Sequence, residues 1–365
     1  MGNRLKNILS IAMLPAALLL GGCTLDSLFG GGSTELPPVG VYKTSDRGDT
    51  WATANAVLST GTVQSLNATN VKNLQFDPTD RQTLYLGSTS QGLYFTYDSA
   101  QRWWQSGPIR SGSINAVAVV PQAQLRCTVY VATANRILKT QDCGRFWDQV
   151  YYDTRLKEQV TTLIVDKRDA NIVYAGMTTG DVLRSTDSGL SWQTYSRMSG
   201  SVQRLVQHSL SNDTIYAVIQ KQGFWKSVDA GATWQNMSEG MREYKNSLNI
   251  ADIAIDENRP DTVILASEYG LLRTTDGGVT WATIPLITDV NEAKIYSVTM
   301  NPQDTRQLYY TTNSTLYRSN DAGETWETRP LPVSGVFTTL LVDPKLPGTL
   351  YLGVNRPAQQ GGFGF

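Results

Sequence analysis

One nine-residue pattern recurs seven times along this chain, and its spacing restricts the fold more than any other feature. It reads RSTDSGLSW at 184–192 and returns as KTSDRGDTW (43–51), KTQDCGRFW (139–147), KSVDAGATW (226–234), RTTDGGVTW (273–281) and RSNDAGETW (318–326). A worn copy, FTYDSAQRW, occupies 95–103. The aspartates Asp46, Asp98, Asp142, Asp187, Asp229, Asp276 and Asp321 stand 42 to 52 residues apart. A unit of that length cannot bury its apolar face alone and must stack on its neighbours.

The segment before each box also repeats. LQFDPTDRQTLYLGS (74–88) has relatives at 163–177, 253–267, 298–312 and 340–354. Each reads as an apolar strand, an Asp/Asn-rich turn and a second strand of Tyr, Val, Ile and Leu. A short third strand leads into the box, and a fourth begins at the box Trp. Four antiparallel strands repeating about every 45 residues predict a β-propeller blade.

The chain begins and ends out of phase. The box at Asp46 has third and fourth strands before any first or second. The segment VFTTLLVDPKLPGTLYLG (336–353) supplies a first and second strand with no box after it. Six whole blades plus this shared one predict an all-β, seven-bladed propeller over 39–354. Joining the two ends in one blade leaves no long sheet edge unpaired.

The box itself reads as the turn between third and fourth strands. Its Asp accepts backbone N–H groups of its own turn, and the Ser or Thr two residues earlier joins the same network. The Gly supplies φ > 0 where the chain reverses. The Trp lays a large apolar face between neighbouring sheets. In the worn copy Ala100 takes the glycine slot, so that turn is expected to differ. Seven regularly spaced aspartates suggest a calcium or catalytic array, but regular repetition points to architecture.

These boxes resemble the Asp-box (BNR) repeat of sialidases, sortilin-type receptors, xyloglucanases and the photosystem II assembly factors of cyanobacteria and plastids. The resemblance spans about 41–353 and implies the fold; fold does not fix chemistry. The sialidase Arg-Ile-Pro motif is absent, its nearest fragment being GPIR at 107–110. Paired propellers and Cys-rich modules, implied by xyloglucanases and sortilin-type receptors, are also absent. The assembly factors match in size and anchoring, though their Gly-Trp second strand is replaced here by TLYLG, IVYAG and TIYAV.

The N-terminus reads as an export signal. Arg4 and Lys6 precede an apolar run at 8–20 and then LGGC at 20–23. That pattern resembles a bacterial lipoprotein signal. The resemblance implies a signal over 1–22, a lipid on Cys23 and a flexible tether over 23–38. Thr24 after the lipidated residue favours an outer surface. Residues 355–365 read as a Gly-rich tail. Export implies an oxidising compartment. Cys127 lies three residues before Tyr130 at the start of a second strand, and Cys143 follows Asp142 at the end of a third. Antiparallel pairing brings the two together, predicting a disulfide.

The chemistry-bearing residues are few. The net charge is −1, which gives no basic excess for nucleic acid. The only histidine, His208, aligns with the turn residues Asp77, Asp166, Asp256, Asn301 and Asp343. It therefore replaces a turn Asp, and neither a Ser-His-Asp triad nor a His-rich metal site is expected. Glu158, Glu243, Glu268, Asp289 and Glu292 fall on loops opposite the boxes. They keep open a glycoside hydrolase working through a carboxylate pair, but no motif selects two of them. No cofactor, metal or catalytic residue is assigned.

The same loops carry Arg110, Arg136, Arg155, Arg197, Arg242 and Lys245, with Tyr151, Tyr152, Tyr195 and Tyr244 nearby in sequence. Arginines beside aromatics suit a binding surface. The sequence thus predicts a non-catalytic, lipid-anchored envelope protein that binds a protein or glycan partner through the face opposite the boxes. Charge reversal at Arg155 with Arg242 is expected to abolish capture and leave the melting temperature alone.

Overall fold

The structure, a computed structural model, describes residues 37–356 apart from 60–63 and Asn212. Cys23, the signal, almost all of the tether and residues 357–365 lie outside the described residues.

Seven four-stranded antiparallel sheets follow one another along the chain. Blade 1 is the shared one. Its strand order is Ala52–Thr53, Gly40–Thr44, Leu350–Asn355, Val336–Val342. Gly40 pairs with Val354 and Thr44 with Leu350, so the two chain ends are zipped along five residue pairs. Blades 2 to 7 are each built from consecutive strands, beginning at Val71, Ile114, Val160, Val202, Ile250 and Ser297. The first strands of all seven blades line a central channel. A short hairpin, Ala56–Val57 with Gln64–Ser65, lies between blades 1 and 2.

The core is divided into seven apolar clusters, one at each blade-to-blade contact. Each contains the box Trp of the following blade. Trp103, for example, packs among Val41, Ala54, Leu66, Leu84 and Tyr351 between blades 1 and 2. The second-strand tyrosines Tyr130, Tyr174, Tyr216, Tyr309 and Tyr351 are also buried at these contacts. The apolar strands of the sequence therefore face neighbouring sheets on both sides, which is why they read as continuous runs of Val, Leu and Tyr.

The box turns share one set of bonds. In blade 4 the Ser185 hydroxyl donates to Asp187 Oδ1 (2.8 Å) and accepts from Gly189 N (2.8 Å). Asp187 also accepts from the Ser191 backbone (2.8 Å) and hydroxyl (2.6 Å). These donors, the Ser191 hydroxyl foremost, hold the Asp187 carboxyl down at about 2. Two residues in succession take positive φ, Ser188 at 59° and Gly189 at 86°. The worn copy keeps the same bonds: Thr96 to Asp98 (2.8 Å), Ala100 N to Thr96 (3.2 Å) and Arg102 N to Asp98 (2.9 Å). Ala100 adopts φ 64°, so its turn does not differ as expected. The hydrogen-bond network and the buried Trp103 hold it there against the left-handed cost of about 1–2 kcal/mol.

Five of the boxes also receive a grip from the blade before them. The residue two before the blade's own Ser/Thr–x–Asp aspartate is that Ser or Thr, and the one preceding it is basic in six copies. Lys43 donates to Ser99 O (2.9 Å), Lys139 to Ser188 O (2.8 Å), and Arg318 to Arg47 O (3.3 Å); Arg273 reaches Ala322 O. Tyr130 joins Lys139 on the same Ser188 carbonyl (2.8 Å). Blade 2 has Phe95 instead of a cation, and Tyr97 takes over by donating to Cys143 O (3.4 Å). In these five contacts blade n holds the box of blade n+1. Lys226 of blade 5 instead bonds Asp261, in the turn between first and second strands of blade 6 (2.9 Å), and Arg184 of blade 4 lies over the Tyr174 and Tyr195 rings.

Cys127 and Cys143 are bonded, with Cα atoms 4.2 Å apart, as the pairing of strands predicted. In each blade the residue after the box Asp donates its N–H to the turn between first and second strands. Ser99 donates to Gln82 O (2.8 Å) and Ser188 to Asn171 O (2.9 Å). In blade 3 those two positions are the cysteines, and Cys143 N still reaches Cys127 O (3.4 Å). The disulfide therefore adds a covalent tie to a contact that other blades make with one hydrogen bond. Closing a loop of this length contributes about 3 kcal/mol on the chain-entropy account.

His208 fills the turn position the alignment gave it. It is fully buried; its Nδ1 accepts from Leu210 N (2.9 Å) and Nε2 donates to Asp256 O (2.8 Å). Asp77, Asp256 and Asp343 accept the N–H two residues on in the same way.

Candidate functional site

Strand direction sorts the loops onto two faces. The boxes and the turns between first and second strands lie on one. The hairpins between second and third strands and the links to the next blade lie on the other. Arg110, Arg136, Arg155, Arg197, Arg242 and Lys245 all belong to this second face, here called the loop face.

The structure brings some of these residues together around blades 3 and 4. The link 153–159 folds back on the hairpin at Ala134 and Asn135. Asp153 N donates to Asn135 O (2.9 Å), Asn135 Nδ2 to Asp153 O (2.7 Å) and Val160 N to Ala134 O (2.9 Å). This places Asp153 inward, with its side chain buried. Arg155 clamps it with two bonds, Nε to Oδ1 (2.9 Å) and Nη2 to Oδ2 (2.6 Å). The same guanidinium reaches Asp181 Oδ2 (3.3 Å), and Arg197 Nε takes Asp181 Oδ1 (2.5 Å). Two arginines and two buried carboxylates thus form one closed, locally neutral set.

Electrostatics follow from that arrangement. The Arg155 guanidinium holds the Asp153 carboxyl at about 2, against the opposing effect of burial. At Asp181 burial pushes upward, but Arg197, Thr179 and Arg155 together leave the carboxyl below its usual range. Tyr151, half-buried against Trp192 and donating to Asp153 (3.1 Å), is pushed up to about 12 by burial and by Asp153.

This changes the role of Arg155. Bidentate contact to a buried carboxylate makes it a structural residue, so charge reversal there is not silent for stability. It would leave Asp153 and Asp181 buried beside a third negative charge. Arg197 is committed in the same way. Tyr195 lies under Arg184 (4.8 Å), and Tyr244 donates to Trp281 O (3.2 Å). Arg242 pairs with Glu239 in the link between blades 5 and 6 (2.9 Å), and Lys245 is exposed in the same link.

What stays available is a smaller patch on the shoulder of that set. Arg136 lies over the exposed Tyr152 ring (5.5 Å), its direct cross-strand partner. Leu156 is 77% exposed and is flanked by Arg155 and exposed Lys157. Arg110 is exposed in the link before blade 3, with Nε bonded to Gly107 O (3.0 Å). Leu156 was not singled out from sequence, because one leucine in a polar loop carries no pattern.

Two of the carboxylates considered for hydrolysis are engaged separately. Glu158 accepts from Thr178 (2.6 Å), and Glu268 from Asn249 (2.8 Å). The carboxylates that do converge, Asp153 and Asp181, are strands apart in sequence, and no motif linked them.

Comparison with known proteins agrees with this geometry at the level of fold. The family of the photosynthesis system II assembly factor YCF48 matches residues 202–345, less than half of the chain. Among solved structures, a YCF48 bound to D1 peptide is 18% identical, with a TM-score of 0.60, covering 79% of this chain and 94% of that one. YCF48 from Cyanidioschyzon merolae is 16% identical, with a TM-score of 0.60 and coverage of 80% and 96%. The GH74 xyloglucanase from Xanthomonas campestris is 18% identical with a TM-score of 0.62; 79% of this chain matches 51% of it, so the chain spans about half of that enzyme. No curated protein matches the chain. The chain is a single seven-bladed β-propeller of the Asp-box type, similar to YCF48.

Proposed function

We propose that this propeller is a non-catalytic scaffold that binds a segment of a partner protein on the loop face at blades 3 and 4. The observation that carries the reading is the patch of Arg136 over Tyr152 beside Leu156, mounted on the Arg155–Asp153–Asp181–Arg197 set. It combines an exposed cation, an aromatic face and an apolar side chain on a rigid base, the composition of an interface anchor. The fold neighbour bound to D1 peptide supports a peptide segment over a glycan. The hydrolase reading needs a carboxyl that can carry a proton near neutral pH. Asp153 and Asp181, both held low by arginine, are poorly suited to that role.

Two tests follow. Arg136→Glu with Tyr152→Ala should abolish capture of the partner from solubilised membranes, a loss of about 2 kcal/mol or more in binding, with the melting temperature kept. Unchanged capture sinks the loop-face reading. Should capture instead fail when Phe146 and Leu190 are made polar, the partner sits on the box face, where those side chains are 75% and 82% exposed.

The anchoring part of the proposal is that Cys23 carries the lipid and holds the protein on a bacterial envelope membrane, the outer one favoured. Mass spectrometry of the mature N-terminus should find a diacylglyceryl adduct on Cys23. A mature chain beginning elsewhere removes this idea.

A further inference from the structure

The central channel gathers charged side chains from three blades at one end, and one of them has no partner among the described residues. At its loop-face end a cavity of about 410 Å³ opens among the first strands of the blades. Such a volume suits a small molecule. Three of the residues around it are charged: Lys72 of blade 2, Arg204 of blade 5 and Asp252 of blade 6. Other polar side chains in this ring stitch blades together. Asn115 donates to Val160 O (2.8 Å) and Thr338 to Val71 O (3.0 Å); Thr161 reaches Val202 O.

Arg204 does none of this. Among the described residues its guanidinium has no hydrogen bond and no ion pair, and its side chain is exposed to the channel. It also lines the next cavity down the channel, so it stands at the junction of the two. Lys72 is fixed by Ser113 (3.0 Å) and Asn115 (2.7 Å), which aims a partly buried ammonium at the same space. Burial and then Arg204 pull the Lys72 ammonium below its usual range. Burial pushes the Asp252 carboxyl up, while Arg204 draws it down. One guanidinium is thus felt by groups on both sides of the channel.

We propose that this end of the channel binds a small hydroxylated carboxylate of sugar-acid size. Lys72 and Arg204 outnumber Asp252 by one charge, which a single carboxylate balances. An unpartnered guanidinium offers it a two-pronged contact. Asp252, whose Oδ2 accepts from Val298 N (3.0 Å) and whose Oδ1 remains, and Gln203 accept ligand hydroxyls. Desolvation in the channel strengthens each of these contacts relative to open surface. The site shares no residue with the Arg136–Tyr152 patch, so either assignment can fail alone.

The test is calorimetry on the full propeller with D-glucuronate, D-glucose and sulfate. Glucuronate should bind with one-to-one stoichiometry, glucose should not, and sulfate should bind at least tenfold more weakly. Arg204→Gln and Lys72→Met should each weaken glucuronate tenfold or more. Both side chains face the channel, and an unchanged melting temperature will show that each variant is folded. Absence of glucuronate binding overturns the proposal, as does binding that survives both substitutions. Sulfate binding as tightly as glucuronate overturns the assignment to hydroxylated carboxylates.

Discussion

Replacing Trp103 with alanine will destabilise the ring by about 3–5 kcal/mol, the usual range for a fully buried tryptophan. Trp103 is 0% exposed, and its Nε1 donates to Ala54 O across the blade contact (2.7 Å). The equivalent Trp192 is only partly buried and bonds within its own turn, to Gly189 O (3.1 Å). Trp192→Ala should therefore cost clearly less, although both occupy the last position of the same motif. Denaturant unfolding of the two variants checks the difference. Equal losses would show that the motif, and not its burial at the shared blade, sets the energy. The worn box thus contributes its most buried tryptophan despite its departure from the pattern.

Removing residues up to 53 should abolish the folded monomer altogether. That cut takes away Gly40–Thr44 and Ala52–Thr53, half of blade 1, and exposes the full hydrogen-bonding edge of Leu350–Asn355. It also strips Val41 and Tyr42 from the clusters on either side. An unpaired apolar edge of this kind recruits other chains. Light scattering and circular dichroism should report aggregation or loss of structure. A circular permutant serves as the positive control. Its new ends are placed at Gly107, and Val354 is joined to Gly40 through an Asn-Gly turn. Gly40 and Val354 already face each other, just as Thr133 and Arg136 do across a two-residue turn in blade 3. The permutant should fold with little change in melting temperature. A truncated chain that stays monomeric and native would mean that blade 1 does not close the ring.

The fold was legible because its signals are periodic. The boxes gave the blade count, and the phase of the chain ends gave the closure. The His208 position and the Cys127–Cys143 bond could be placed because each blade is a template for the others. Ala100 misled for a local reason: the expectation weighed the residue's own preference, while neighbouring bonds and Trp103 hold the turn. The loop-face site was only partly legible. Arg155 and Arg197 looked alike as exposed loop cations, but Asp153 and Asp181, which claim them, belong to different blades and share no spacing rule. The basic residue heading six of the seven boxes is visible in the sequence; only the three-dimensional contacts show that four of them serve the box of the next blade.

Those five grips all run one way round the axis, from a blade to the box of its successor. The ring accordingly has a polarity, like a chain of hands each holding the shoulder ahead. Five of the seven blades carry such a hand, so an extra copy of one of them would find a compatible box ahead without redesigned contacts. Blade number then becomes something gene duplication can alter in a single step, and the side chains crowding the axis are left to decide which numbers close.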